Sequence, residues 1–241
     1  MPRWSYDKNI WSWLSRLQAH RGYWVEGLQQ NSLQSVQEAY KRGFEICEFD
    51  VRITADHQVV LFHDDRIGTV HIKKAKLSEL RQLTPLTLLS ELFDWFITVS
   101  DFKLNIEIKS RDLLHSEIER VVCELIKKYE LQKRVLISSF NPLTLYKVRL
   151  LCPDVYRALL LSYEKEYGNN IFVTSRMLNI FCQPHMLNLR SIDYSGSFAK
   201  LAKDIPVTLW TVNEASFFGR RKDEIHGIIS DRITPDEFKK I

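Results

Sequence analysis

The sequence predicts a closed (β/α)8 barrel, an α/β fold with a mainly parallel sheet and one domain over residues 1–241. Three observations predict it. Short apolar runs alternate with amphipathic stretches along the whole chain, the pattern of strands joined by crossover helices. The length of 241 residues suits a barrel, whose typical size is about 250. Polar and charged residues interrupt several strands near their C-terminal ends, where barrel enzymes place their chemistry. A doubly wound open sheet is the alternative, but no glycine-rich phosphate loop follows the first strand.

In chain order, the expected strands are residues 17–20, 45–51, 59–63, 104–108, 135–140, 156–161, 178–182, 207–212 and 227–230. The expected helices between them include residues 32–42, 116–129 and 142–151. Lys41-Arg42-Gly43 closes the first of these with positive charge and a terminating glycine. Asn141-Pro142 opens the last with a capping side chain and a proline at the first helical position. Between His63 and Glu107 there is no long polar insertion, so any cap over the barrel mouth is small or absent, with residues 64–80 as its candidate lining.

Composition excludes several classes. With 45% hydrophobic and 27% charged residues the chain has enough apolar surface for a large core. The longest stretch without Lys, Arg, Asp or Glu, residues 177–189, is short of the roughly 18 apolar residues of a membrane span. A net charge of +4 without a basic block gives no reason to expect nucleic acid. Cys47, Cys123, Cys152 and Cys182 have neither zinc-site nor redox spacing and read as free thiols. No signal-peptide core follows the N-terminus, so the expected location is cytoplasmic. Trp11, Trp13 and Leu14 read as a segment that plugs or flanks the barrel bottom, with membrane contact as the alternative. No pattern specifies an oligomer.

Strands of a parallel barrel are buried on both faces and should be apolar. Glu48 and Asp50 break that rule from one face of their strand, and Phe49 and Val51 point to the helices. Asn105, Glu107 and Lys109 repeat the pattern. Inward carboxylates cost several kcal/mol each unless paired or bound to a cation. Glu48, Asp50 and Glu107 therefore form an all-oxygen set for one hard divalent cation, Mg2+ or Ca2+. His20 and His63 each end a strand beside ionisable residues, a pair suited to giving and taking a proton. His57, His71, His115 and His226 lack such company and read as ordinary. Arg21 adds a fork for phosphate oxygens. Cation, arginine and lysine together point to an anionic small molecule, most simply a phosphate ester.

The series His20-Arg21-Gly22, Asn31-Ser32, Glu48-x-Asp50, Thr54-x-Asp56, His63-Asp64, Thr87-Leu88, Glu107-x-Lys109, Ser139-Phe140, Trp210-Thr211-Val212-Asn213 and Gly227-Ile228-Ile229-Ser230-Asp231 resembles, in order, the glycerophosphodiester phosphodiesterase family. The resemblance implies a (β/α)8 barrel that hydrolyses glycerophosphodiesters to sn-glycerol 3-phosphate and an alcohol with one divalent cation (Mg2+, Ca2+ or Mn2+). It implies Glu48, Asp50 and Glu107 as metal ligands, His20 and His63 as the acid/base pair, Arg21 and Lys109 on the phosphate, and Trp210 against the glycerol end. Plain barrel packing is the other role open to Trp210. The chain departs from the family at Gln29-Gln30-Asn31-Ser32, where Pro-Glu-Asn-Thr is usual. Gln30 removes a negative charge and is expected to weaken or retune cation binding. Alternatives are a lysophospholipase D-type phosphodiesterase on lipids, a non-catalytic barrel that binds a phosphometabolite, and a metal-dependent sugar isomerase.

Overall fold

A computed structural model describes residue 7 and residues 9–110, 117–162, 181–194 and 204–241. Eight parallel strands close into a barrel: β1 (Leu17–His20), β2 (Ile46–Ile53), β6 (Lys103–Ile108), β7 (Val135–Ser139), β8 (Tyr156–Leu161), β9 (Met186–Arg190), β10 (Val207–Trp210) and β11 (Gly227–Ser230). Closure is explicit, because β1 pairs in parallel with both β2 and β11. The short β3 (Val59–Leu61) lies antiparallel on β2.

The outward faces of these strands are apolar, as burial on two faces requires. Phe49 and Val51 of β2 and Leu104, Ile106 and Ile108 of β6 share one core with Val36 and Ala39 of α2 (Leu33–Lys41) and Ile118, Val122 and Ile126 of α5 (Glu117–Lys128). The last three recur every fourth residue and so form one helix stripe. Acidic Glu117 and Glu119 sit in its first turn and Lys127 and Lys128 in its last, each sign where the helix dipole favours it. Ser32 caps α2 by accepting the Ser35 N–H, a contact worth about 1 kcal/mol. Asn141 does the same for α6 (Pro142–Leu151) through the Leu143 N–H.

The N-terminal segment closes the bottom of the barrel. Ile10 of α1 (Asn9–Trp13) and Leu14 are buried against Leu136, Ala158 and Met186, inward-facing near the starts of β7, β8 and β9. The Trp13 indole N–H donates to the Lys133 carbonyl at 2.8 Å, and Lys103 Nζ donates to the Trp13 carbonyl at 2.6 Å. The apolar side chains Trp13 and Leu14 are thus spent on the protein. No helix among the described residues is long and apolar enough to cross a membrane.

Between β3 and α4 (Leu89–Phe96), a hairpin of β4 (Arg66–Ile67) and β5 (Val70–His71) and the short α3 (Leu77–Leu80) pack on a small core of Val60, Ile72, Ala75, Leu80 and Leu86. This is the small insertion expected after His63. It stands beside the mouth, and none of residues 64–80 lines the pocket described below.

One strand lies elsewhere than expected. Residues 186–190, not 178–182, form the strand between β8 and β10. Phe181 and Cys182 are helical, and residues 178–180 lie outside the described residues. The run at 178–182 has one polar residue, Asn179, whereas the true strand has two, the inward Asn188 and Arg190 at its C-terminal end. Smaller differences shorten strands at their C-terminal ends: β3 stops at Leu61 and β10 at Trp210, so His63 sits on a loop.

Closure leaves no room at Gly227, where a Cβ would collide with the Arg16 backbone. Gly227→Ala is expected to cost about 1–3 kcal/mol, as overpacking does. Each kcal/mol lowers the melting temperature of a chain this size by about 2–4 °C, and scanning calorimetry measures the shift directly.

Candidate active site

At the C-terminal end of the barrel, strand register brings the polar positions together. His20 lies opposite Glu48, Asp50 opposite Glu107, and Glu107 opposite Ser138. Glu48, Asp50 and Glu107 are 3%, 1% and 6% exposed, and each offers an oxygen within 4.8 Å of the others. Glu48 and Glu107 line one pocket of about 330 Å³ together with His20, Arg21, His63, Lys109 and Trp210 among others. Asp50 does not line the pocket but contacts its Arg21 and Lys109, and the exposed Gln30 reaches it only through Arg21.

Two cations hold the carboxylates. Lys109 Nζ is 2.5 Å from Glu107 Oε1 and 3.1 Å from Asp50 Oδ1, and Arg21 Nε is 3.4 Å from Asp50 Oδ2. Burial alone would push the Asp50 carboxyl up, but Lys109 and Arg21 hold it well below the usual range. Glu48 is less compensated: burial and then Asp50 and Glu107 raise it well above an ordinary glutamate. Burial also pushes Glu107 up to about 7, against the pull of Lys109. Glu48 Oε1 is buried without a hydrogen-bond partner. Three negative charges against two positive ones fit a further cation, and the donors are all hard oxygens.

The turn after β1 is shaped to deliver Arg21. Its φ is +59°, in the left-handed region, and Gly22 follows at +83°, where a Cβ would collide with Ser35. The Arg21 N–H donates to Glu48 Oε2 at 3.1 Å, and its guanidinium donates to Gln30 Oε1 at 3.0 Å. Gln30 is thus the arginine's neighbour and not one of the clustered carboxylate positions. A strained non-glycine residue held by that many bonds is a mark of a functional turn.

Both histidines are oriented by carboxylates. His20 Nδ1 is 2.6 Å from Asp231 Oδ1, and Asn213 donates to the other Asp231 oxygen at 2.9 Å. His63 Nδ1 is 2.7 Å from Asp64 Oδ1, and the Arg52 guanidinium pins the His63 carbonyl at 2.6 and 2.8 Å. A carboxylate only accepts, so Nδ1 of each ring carries the hydrogen and Nε2 is left for chemistry. Burial lowers His63 from its ordinary value. Burial raises Asp231, but the His20 contact outweighs it and the carboxyl titrates low.

Residues 20–234 match the glycerophosphoryl diester phosphodiesterase family. The chain belongs to that family. It is a phosphoric diester hydrolase. The glycerophosphodiester phosphodiesterase of Caldanaerobacter subterraneus subsp. tengcongensis is 29% identical over 231 residues, 88% of this chain and 92% of that one. A Parabacteroides distasonis glycerophosphodiester phosphodiesterase superposes with a TM-score of 0.80 at 27% identity, covering 93% of this chain and 95% of the other. The Thermotoga maritima enzyme does so with a TM-score of 0.72 at 28% identity, covering 90% and 95%.

Three residues of this phosphodiesterase's site carried no role in the sequence reading: Asn31, Asn213 and Asp231. Their only signal was membership of the motifs around them. Asn31 is held at φ +54°, and its side chain clamps Asp50 twice, donating to Oδ2 at 2.9 Å and accepting the Asp50 N–H at 2.9 Å. Asn31→Leu removes both bonds and leaves a buried N–H and a buried charge short of partners. The expected loss is about 3 kcal/mol of stability, since hydrogen bonds to charged groups contribute roughly 1.5–3 each, and urea denaturation checks it.

Proposed function

We propose that this single-domain chain of residues 1–241 hydrolyses glycerophosphodiesters to sn-glycerol 3-phosphate and an alcohol, with His20 and His63 as its acid/base pair and one divalent cation at Glu48, Asp50 and Glu107. The observation that carries it is the convergence, in one pocket, of two carboxylate-oriented histidines on a buried three-carboxylate cluster flanked by Arg21 and Lys109. Family membership supports the substrate class. The four buried free cysteines fit a reducing cytoplasm.

The carboxylate set fits a hard cation such as Mg2+, Ca2+ or Mn2+, which when bound supplies positive charge to the phosphate and lowers the cost of forming an alkoxide. The chain's own groups do the rest. Arg21 and Lys109 neutralise charge on the phosphate oxygens from the pocket wall. One histidine takes, through Nε2, the proton of the nucleophile, which is water or the substrate's own 2-hydroxyl; attack by the hydroxyl closes a cyclic phosphate that water then opens to sn-glycerol 3-phosphate. The other gives its Nε2 proton to the departing alcohol. Asp231 and Asp64 keep the two rings in the required tautomer and steady the charge when each is protonated. Trp210 sets its ring against the glycerol end.

His20→Ala and His63→Ala are each expected to lower kcat on glycerophosphocholine by about 10²- to 10⁴-fold, the usual size of a positioned acid or base. Near-native turnover by either variant would exclude the scheme. Cation uptake should also depend on pH in a stated direction. Glu107 titrates at about 7 and Glu48 is raised too, so below neutrality a proton must leave before the carboxylates can bind. Affinity for Mn2+ is therefore expected to rise from pH 6 to pH 8, with protons released on binding. Calorimetry in buffers of different ionisation enthalpy reads both; equal affinity at the two values would place the cation elsewhere.

A further inference from the structure

Proton transfer by the histidines and charge neutralisation at the carboxylates use one side of the pocket, around β1, β2 and β6. The rest of the ring, from β7 beside β6 round to β9 across the barrel, has a floor of its own. Ser138 on β7 and Asn188 on β9 line the pocket there and are 1% and 0% exposed. Among the described residues, Ser138 Oγ, Asn188 Nδ2 and Asn188 Oδ1 have no hydrogen-bond partner, and neither has Thr208 Oγ1, which sits opposite Asn188 in the β9–β10 register. Valine and leucine fill such barrel positions without that penalty. Buried polar groups are almost always paired, and where the chain itself supplies no partner a ligand or an ordered water is the remaining one.

The chemistry of the four atoms narrows what that partner is. Two hydroxyls and one amide both donate and accept. A phosphate oxygen would use only the donors, and a quaternary ammonium would use neither. An alcohol O–H uses both. The indole N–H of Trp210 donates to the Asn188 carbonyl at 3.2 Å, which ties the ring to the same corner. The floor thus lies where the glycerol end of a substrate would meet Trp210.

We propose that Ser138 and Asn188, backed by Thr208, bind a hydroxyl of the substrate's glycerol moiety and so make the enzyme selective for glycerol-bearing diesters. This rests on the glycerophosphodiester reading. Ordered water offers the same O–H chemistry, and the test must separate the two sources.

The kinetic arm compares kcat/KM on glycerophosphocholine with kcat/KM on methyl para-nitrophenyl phosphate, a diester without hydroxyls; if the nucleophile is the substrate's own 2-hydroxyl, wild type does not turn over the second and the binding arm decides alone. In Asn188→Leu the ratio of the two is expected to fall 10- to 100-fold, and in Ser138→Ala by a smaller factor in the same direction. A ratio equal to wild type, or an equal fall on both diesters, overturns the proposal, the second outcome being that of a merely structural residue. The binding arm measures sn-glycerol 3-phosphate against propyl phosphate, which has the same length and no hydroxyl. Wild type is expected to prefer the former at least tenfold and Asn188→Leu to lose most of that preference. A preference that survives in both variants means the floor holds water only, and overturns the proposal. Ser138→Ala, which removes one atom, serves where the larger change does not fold. Wild type that turns over no glycerophosphodiester sinks the underlying reading, and the binding arm then still decides the floor by itself.

Discussion

Three carboxylates held out of water within 4.8 Å of one another are the constraint on which this structure turns. Left alone they would repel and take up protons, and the barrel would lose several kcal/mol for each. The surrounding architecture answers that charge. Lys109 bridges Glu107 and Asp50, Arg21 reaches Asp50 from a strained turn, and Asn31 ties down the Asp50 backbone and side chain together. The answer is incomplete by design of the residue set, since Glu48 keeps an unpartnered oxygen and an elevated pKa. The deficit is what suits the cluster to the proposed cation, where a buried salt bridge would have been balanced within the chain.

A closed barrel is well suited to such a cluster because register, not loop conformation, sets the spacing. His20, Glu48, Asp50 and Glu107 occupy neighbouring inward positions on β1, β2 and β6, so their separation follows from strand pairing. Loops then add the parts that need aiming: Arg21, His63 and Asp231. Each is fixed by further bonds, Arg21 to Gln30, His63 through Arg52, Asp231 through Asn213. Rigid strands carry the charge, and pinned loops carry the groups proposed for proton transfer.

Much of this was legible in the chain. Glu48-x-Asp50 and Glu107-x-Lys109 stood out because charge at period two inside an apolar run contradicts a strand buried on both faces. The histidines stood out by position at strand ends. What escaped had physical reasons. The sixth barrel strand, at 186–190, is broken by two polar residues, Asn188 and Arg190, where the run at 178–182 has only Asn179, so apolar content alone favours the wrong segment. Asp231 was invisible as the partner of His20 because the contact spans 211 positions of sequence, and pattern has no reach over such a distance; Asn213 reaches the site only through Asp231. Asn31 looked like an ordinary helix-entry residue, and only the fold shows its amide turned onto Asp50.

The pairing of His20 with Asp231 has a temporal side. These residues lie on, and just beyond, the first and last strands of the barrel, and they meet only when β11 docks on β1. A growing chain therefore holds its carboxylates, its arginine and both imidazoles long before one of those imidazoles is oriented. Contacts of such sequence separation form late, after the cost of closing the loop has been met. The first histidine of the chain is in this sense the last to be oriented, and a partly made barrel holds the proposed site's side chains without their final arrangement.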